Sequence, residues 1–494
     1  MVSGDMSIKR CVVLLAVAAL ATSTLGGCVS QRIPLTHIEV PIPDVPLLDL
    51  IPGFREGNFR GLTWTEAFDR LHGKLSTEYP FTEWKQVDWT ALHDTYAPRV
   101  AQAEADEDAC RYYEALRGYL YAIADANVGL DVQEDCMETA IAGSYGFACL
   151  PLDDGRTIAH YILVGGPAQA AGMAWGAEIV SWNGVAVTEA LANTSVLWAD
   201  IAPATTEGLR LARHQFLSRG PVDSEVEIGF KNPGAEEATV AKVTAEADDY
   251  ECLYAWSGMG TDIGDFENAF TTQTLPSGYG CITMRFVAPT VFMPFPDRGF
   301  KKAILSFSER KVPGLIIDLR GNMGGDNTLV PGFVGHFQAT SAQYADFAYA
   351  KNRDGEFVVV EKKRLSIEPR DPAFAGPVVV IVDSETTGAG EGLAMALQRL
   401  PQARVVGYHG TRGAFSADGG NVSMPGGHNV WYPIGRSLDF FGNIQLEANA
   451  DGIGGVTPDV RLPVTFENVK ARFVDGDDPL RDEAVALLNQ ATGR

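Results

Sequence analysis

Cysteine is scarce in this chain, with seven in 494 residues, and no two of them form a CxxC pair or stand beside histidine at metal-ligating spacing. That argues against a zinc module and against a disulfide-dense scaffold, and neither a metal nor a cofactor is expected. Long apolar runs are also missing. The most apolar stretch, Cys11 to Ala21, is too short to span a bilayer. Positive charge is short as well: 39 Lys and Arg stand against 63 Asp and Glu, for a net charge of −24. A phosphate backbone would repel such a surface, so nucleic acid is excluded as a partner. What remains is a globular composition, 46% hydrophobic, with enough chain for two or three cores.

The N-terminus reads as a targeting segment. Met6-Ser-Ile-Lys-Arg10 is a basic start, Cys11 to Ala21 an apolar core, and Leu25-Gly-Gly-Cys28 resembles a bacterial lipobox. Residues 1–28 are expected to be a lipoprotein signal, with Cys28 the lipidated residue that ties an exported chain to a membrane of the bacterial envelope. Five cysteines follow: Cys110, Cys136, Cys149, Cys252 and Cys281. Export permits disulfides, but an odd number leaves at least one thiol free, and most read as small buried apolar residues.

Residues 29–60 are Pro-rich and read as an extended tether. Residues 61–135 read as helical: Thr63 to His72 begins one helix, and Trp89 to Glu104 is a second, kinked or interrupted at Pro98. Asp106 to Ala124 is a third, with Tyr112, Leu116, Tyr119 and Ile123 on one face. Beyond residue 250 strands and helices alternate. Cys281 to Phe286, Gly314 to Leu319, Pro377 to Val382 and Ala403 to Gly407 are the strands; Phe295 to Arg310, a stretch from Leu329 and Glu391 to Leu400 are helices. The alternation predicts an α/β core over 251–494.

Two short patterns in residues 136–250 resemble a PDZ domain. Tyr145-Gly146-Phe147 fits its carboxylate-binding loop. The run Gly166 to Gly184, with Pro167-Ala168, Ala171-Gly172, Gly176, Ile179-Val180 and Asn183-Gly184, fits its short helix and hairpin. The resemblance implies capture of peptide or protein C-termini, the carboxylate on loop N–H groups and the peptide along a strand edge. A domain that only packs on its neighbour is the alternative.

Leu315-Ile-Ile-Asp-Leu-Arg-Gly-Asn-Met-Gly-Gly325 is an apolar strand ending in a Gly-rich turn, where Gly324 and Gly325 free the backbone to aim N–H groups as an oxyanion hole requires. A tight strand-to-helix connection reads the same way. The segments Tyr79 to Trp89, Asp318 to Gly325, Ala389-Gly390-Glu391, Val405-Val-Gly407 and Gly454-Gly-Val-Thr-Pro-Asp459, with the PDZ segment, occur in the order of the tail-specific, or carboxy-terminal processing, serine peptidases and their tricorn-core-like branch. The chain resembles that family from about Gly61 to Thr465, which implies a ClpP/crotonase-like core.

The resemblance fails at the catalytic positions. The family's serine falls on Gly388, its lysine base on the region of Ala414, and the tricorn-like branch's histidine on Asn127. No lysine occurs between Lys363 and Lys470. Ser384, Thr386 and Thr387 in the same turn are candidate substitute nucleophiles, and His409 a candidate base. Each hydroxyl needs an activating base within reach. Glu447 and Asp451 match the neighbourhood of the branch's acidic residue but read as solvated loop carboxylates. The leading reading is an inactive peptidase scaffold that binds extended peptides or C-termini. A working peptidase with a substitute nucleophile, and an envelope scaffolding protein, remain alternatives.

Overall fold

A computed structural model describes residues 56–255, 269–290, 293–350 and 356–494. Cys28, the signal and almost all of the expected tether lie outside these residues. Among those described, no helix is long and apolar enough to cross a membrane.

The centre of the molecule is a six-stranded sheet in the order Phe270–Thr274, Gly280–Met284, Leu315–Asp318, Val378–Ile381, Ala403–Gly407, Val460–Arg461. The first pair is antiparallel and the rest run parallel. Its central strands are continuous apolar runs because both faces are covered. Leu315, Ile317, Val378 and Val380 point to one face with helices Pro296–Glu309 and Ala389–Gln398; Ile316, Val379 and Ile381 point to the other with Leu480, Ala484 and Leu488 of the last helix. That helix runs Pro479–Thr492, and the helix expected from about Leu329 is Val330–Val334.

A second, seven-stranded sheet is built around the Ser416–Ser423 and Asn429–Leu438 hairpin, with Ala342–Ala350 beside it. It changes the expected boundaries. Glu56–Asn58, expected in the tether, pairs in parallel with Asn421–Ser423, and Gly129–Leu130 pairs with Val430–Trp431. The helical region is thus no separate unit. Helices Trp64–Glu78, Trp89–Ala105 and Ala109–Tyr121 bury Phe68, Leu71, Tyr112 and Tyr119 against Val422, Met424, Val430 and Tyr432 of the hairpin. Thr63, Asp88 and Asp108 cap the three helices through their side chains. Pro98 lies inside a continuous Trp89–Ala105 helix, so of the two readings, kinked or interrupted, the interruption does not occur.

Residues 143–247 hold an antiparallel sheet in the order Thr239–Thr244, Glu225–Lys231, Glu178–Trp182, Thr157–Ile162, Phe147–Pro151. Helix Thr206–Leu217 packs on the outer strand, Phe147–Pro151. Cys110 and Cys136 form a disulfide, and Cys149, Cys252 and Cys281 are free thiols buried in the interior, the last three as expected from sequence.

Candidate active-site corner

The strand Val378–Ile381 delivers the chain into the turn 383–388, and helix Ala389–Gln398 leaves it. Gly388 stands at the tip with φ 52° and ψ −120°. L-residues rarely adopt that conformation, and such strain at a strand-to-helix corner holds a side chain out for chemistry. A Cβ built there meets only the Gly324 Cα at 3.6 Å and the Ala414 carbonyl at 4.0 Å. The space in front of the tip is therefore open, and it faces the two segments named from sequence.

One buried carboxylate holds the corner together. Glu391 accepts from the Gly388 N–H at 3.0 Å and the Ala414 N–H at 2.9 Å on one oxygen. Its other oxygen accepts from the Gly413 N–H at 2.7 Å and the Thr411 hydroxyl at 2.6 Å. Burial pushes the Glu391 carboxyl up, and these four donors pull against that rise. The family motif Ala389-Gly390-Glu391 is thus a structural clamp that binds the 411–414 turn to the helix start.

The Gly-rich turn arrives beside it. Thr387 N–H donates to the Asn322 carbonyl at 2.9 Å, and the Gly324 Cα packs on the corner. Gly324, expected as an oxyanion donor, is not one: its N–H is already spent on the Asn322 side-chain oxygen at 2.9 Å. Gly325 has φ 134°, and a Cβ there would strike the Val287 carbonyl, so only glycine allows this approach.

Asn127 lies in the turn after the N-terminal helices, 7% exposed, and its side-chain amide nitrogen has no partner among the described residues. Its backbone N–H donates to Asp125 at 2.7 Å. Ala126 shares a small buried cluster with Ala414, Ala204 and Ala448. The Asn127 turn, read as the lost histidine position, is thus brought to Ala414, which itself lies beside Gly388, although Asn127 is more than 250 residues from either in sequence.

Glu447 is a correction. Expected to be solvated, it is 1% exposed, lies 3.0 Å from the Lys85 ammonium and accepts from the Phe415 N–H at 3.1 Å. Burial and the nearby Asp125 carboxylate push its carboxyl up to about 8, against the pull of Lys85, whose ammonium is itself held above its ordinary value by Glu447. Lys85 also donates to the Ala448 carbonyl at 2.7 Å and the Ala124 carbonyl at 3.1 Å, so all its reach is used to tie three segments together. Sequence reasoning quoted Lys85 inside a family segment and gave it no role. Its only signal was a cation among the apolar and aromatic residues of Tyr79 to Trp89. Asp451, by contrast, is exposed as expected.

The substitute nucleophiles do not assemble. Thr386 is buried and donates to the Leu319 carbonyl at 2.9 Å, a structural role. Neither Ser384 nor Thr387 makes a side-chain hydrogen bond among the described residues, to a base or to anything else. His409 sits 2.7 Å from Glu207, and with Ser384 it lines a cavity on the 143–247 side rather than the corner. The Tyr145-Gly146-Phe147 loop is placed at the start of the outer strand. There the Tyr145 N–H donates to the Ser218 carbonyl at 3.1 Å and the Gly146 N–H to the Ser144 hydroxyl at 3.0 Å. Two of its three expected carboxylate donors are thereby engaged. No cluster able to hold a metal occurs among the described residues.

Residues 291–462 match the family model of peptidase family S41, and residues 61–109 that of the tricorn protease C1 domain. The chain is thus similar to the tail-specific, carboxy-terminal processing peptidases. It is 25% identical over 300 residues to the carboxy-terminal processing protease CtpB of Bacillus subtilis, a match that takes in 59% of this chain and about half, 52%, of that relative. The crystal structure of mature CPAF superposes with a TM-score of 0.61 at 14% identity, over 87% of this chain and 98% of that one. A putative peptidase from Parabacteroides merdae gives 0.50 at 14% identity, over 86% and 97%. At such identities the two structures speak for the fold alone. The family's fold is thus present from the helical region to the central sheet.

Proposed function

We propose that this chain is a peptidase-family protein that binds extended peptides or protein C-termini and does not cleave them, exported and held to the bacterial envelope by lipid at Cys28. The observation that carries the reading is the tip of the corner. Gly388 keeps the strained backbone and the open space of a nucleophile position and has no side chain to put there. The residues that converge on it are Ala414 and the Asn127 turn, and neither alanine nor asparagine takes a proton from a hydroxyl at neutral pH. Lys85, which bonds to the carbonyl of Ala448 in the cluster beside this turn, is committed to Glu447 and two carbonyls.

Binding needs less. The start of helix Ala389–Gln398 presents its N-terminal dipole to the corner, and a peptide carbonyl is attracted to such a terminus. Residues 143–247 supply the second contact in this reading, as a PDZ-like domain whose outer strand Phe147–Pro151 is next to helix Thr206–Leu217. With the Tyr145 and Gly146 amides engaged, the Phe147 end of the loop is where a terminal carboxylate is received.

Two measurements on the purified chain test this. Fluorophosphonate labelling and casein digestion are expected to be negative. Calorimetric titration with an apolar peptide acid and its amide is expected to favour the acid about tenfold or more, since a charge-assisted hydrogen bond is worth roughly 1.5–3 kcal/mol. Cleavage abolished by Ser384→Ala or Thr387→Ala establishes the active-enzyme alternative. Equal affinity for acid and amide leaves the scaffolding alternative.

A further inference from the structure

A cavity of about 90 Å3 lies where the 143–247 region, the central sheet and the C-terminal segment meet. Its wall is mostly apolar, including Leu211 of helix Thr206–Leu217 and Phe473 beyond the sheet. Polar side chains interrupt it, among them Ser384 and Tyr408, which follow adjacent parallel strands, and Arg472. The cavity belongs to neither the Gly388 tip nor the Glu391 clamp.

The donors and acceptors of this wall are unequally used. Asp383, also on the wall, accepts from the N–H groups of Gly321, Glu385 and Thr386 at 2.9–3.1 Å and from the Thr386 hydroxyl at 3.0 Å. Glu385 is paired with Arg412. His409 has its Nδ1 on Glu207. On the donor side the Tyr408 hydroxyl is buried without a partner. Burial pushes its pKa up to about 12, so it carries its proton at neutral pH. The Ser384 hydroxyl makes no hydrogen bond among the described residues. A buried donor without an acceptor is costly, and a ligand oxygen removes that cost.

We infer that this cavity is a binding site for a short aliphatic carboxylate, the alkyl chain against Leu211 and Phe473 and the carboxylate on the Tyr408 and Ser384 hydroxyls beside the Arg472 guanidinium. Size agrees with chemistry. A dry cavity of about 150 Å3 accepts benzene, so about 90 Å3 takes a chain of roughly three to five carbons. Because its walls come from three parts of the chain, an occupant fastens the 143–247 region to the sheet. Two sources offer this chemistry: a free branched-chain acid, and the last residue of a polypeptide ending in valine.

The test is calorimetric titration of the full chain with isobutyrate, isobutyramide and the tripeptide Gly-Gly-Val. Isobutyrate is expected to bind saturably with Kd on the order of millimolar, as few heavy atoms allow. The amide is expected to bind about tenfold more weakly or worse. Tyr408→Phe leaves the fold intact, since the hydroxyl it removes bonds to nothing, and weakens isobutyrate about tenfold. Leu211→Trp, which fills the cavity, abolishes binding. If the tripeptide outbinds isobutyrate, chain termini are the ligand; if it binds more weakly, free acids are. No saturable isobutyrate binding, equal affinity for acid and amide, or full affinity in Tyr408→Phe would each overturn the inference.

Discussion

Replacing Glu391 by alanine takes the acceptor from four donors at once: the N–H groups of Gly388, Gly413 and Ala414 and the Thr411 hydroxyl. A buried donor left unsatisfied costs about 1–3 kcal/mol. Water entering the space left by the side chain recovers part of that, so a net loss of about 4–6 kcal/mol is expected, at the extreme of single substitutions. Glu391→Gln is the sharper variant. It keeps one oxygen for two donors and turns an NH2 group against the other two, for an expected loss of about 2–4 kcal/mol. Amide hydrogen exchange reads the effect locally, and Gly413 and Ala414 should lose protection more than the sheet strands do. Denaturant midpoints give the total. If Glu391→Gln matches the wild type within about 0.5 kcal/mol, the carboxylate is not the clamp described here.

At about pH 9, where Glu447 is ionised, Lys85→Met leaves it buried beside Asp125 without its cation, and a loss of about 3–5 kcal/mol is expected in denaturant unfolding, largely recovered by adding Glu447→Leu. The raised Glu447 carboxyl binds its proton more tightly in the folded chain than in the unfolded one. Its contribution to stability is therefore greatest below about pH 4.5 and declines as pH rises towards 8. Relative to Glu447→Gln, the wild-type midpoint should fall between pH 5 and pH 8, and a rise would contradict the assignment. Reducing the Cys110–Cys136 bridge, which closes a loop of 26 residues, should cost about 3.5 kcal/mol, seen as a lower midpoint under reductant. Gly388→Ser has room for its side chain but must adopt φ 52°. It should lose about 1–3 kcal/mol and remain unlabelled by fluorophosphonate.

The parts of the fold legible in the sequence were those built from uninterrupted local patterns. The central strands at 315–318, 378–381 and 403–407 came through within a residue or two, because a sheet covered on both faces is written as a plain apolar run. The seven-stranded sheet was not legible. Its outer members are strands of two or three residues, such as Glu56–Asn58 and Gly129–Leu130, recruited from far away by an edge they complete. At the candidate site, motif order pointed to Gly388, Ala414 and the Asn127 turn. It could not show that the Gly324 N–H is consumed by Asn322, or that Glu447 is buried on Lys85, because both depend on partners more distant than any spacing rule. The same limit applies to Ser384 and His409, which look like neighbours of the tip in sequence and line a different cavity.

The geometry of the corner rests on residues other than those that would perform the chemistry. Its φ is held by Glu391 gripping the Gly388 and Ala414 N–H groups, and its approach to the sheet is held by Asn322, which accepts the Thr387 N–H and donates to the Met284 carbonyl at 2.9 Å. None of these bonds passes through a side chain at position 388, 414 or 127. A nucleophile at 388 would project into open space, so its absence takes nothing from the packing and relieves the strain of an L-residue at φ 52°, whereas positions 414 and 127 are buried. A nucleophile on such a frame is separable from its stability, whereas Glu391, Asn322 and Lys85 are not. A chain that keeps the frame and lacks the side chains is therefore a stable, well-formed molecule, and binding that uses backbone groups of the frame survives where proton transfer does not.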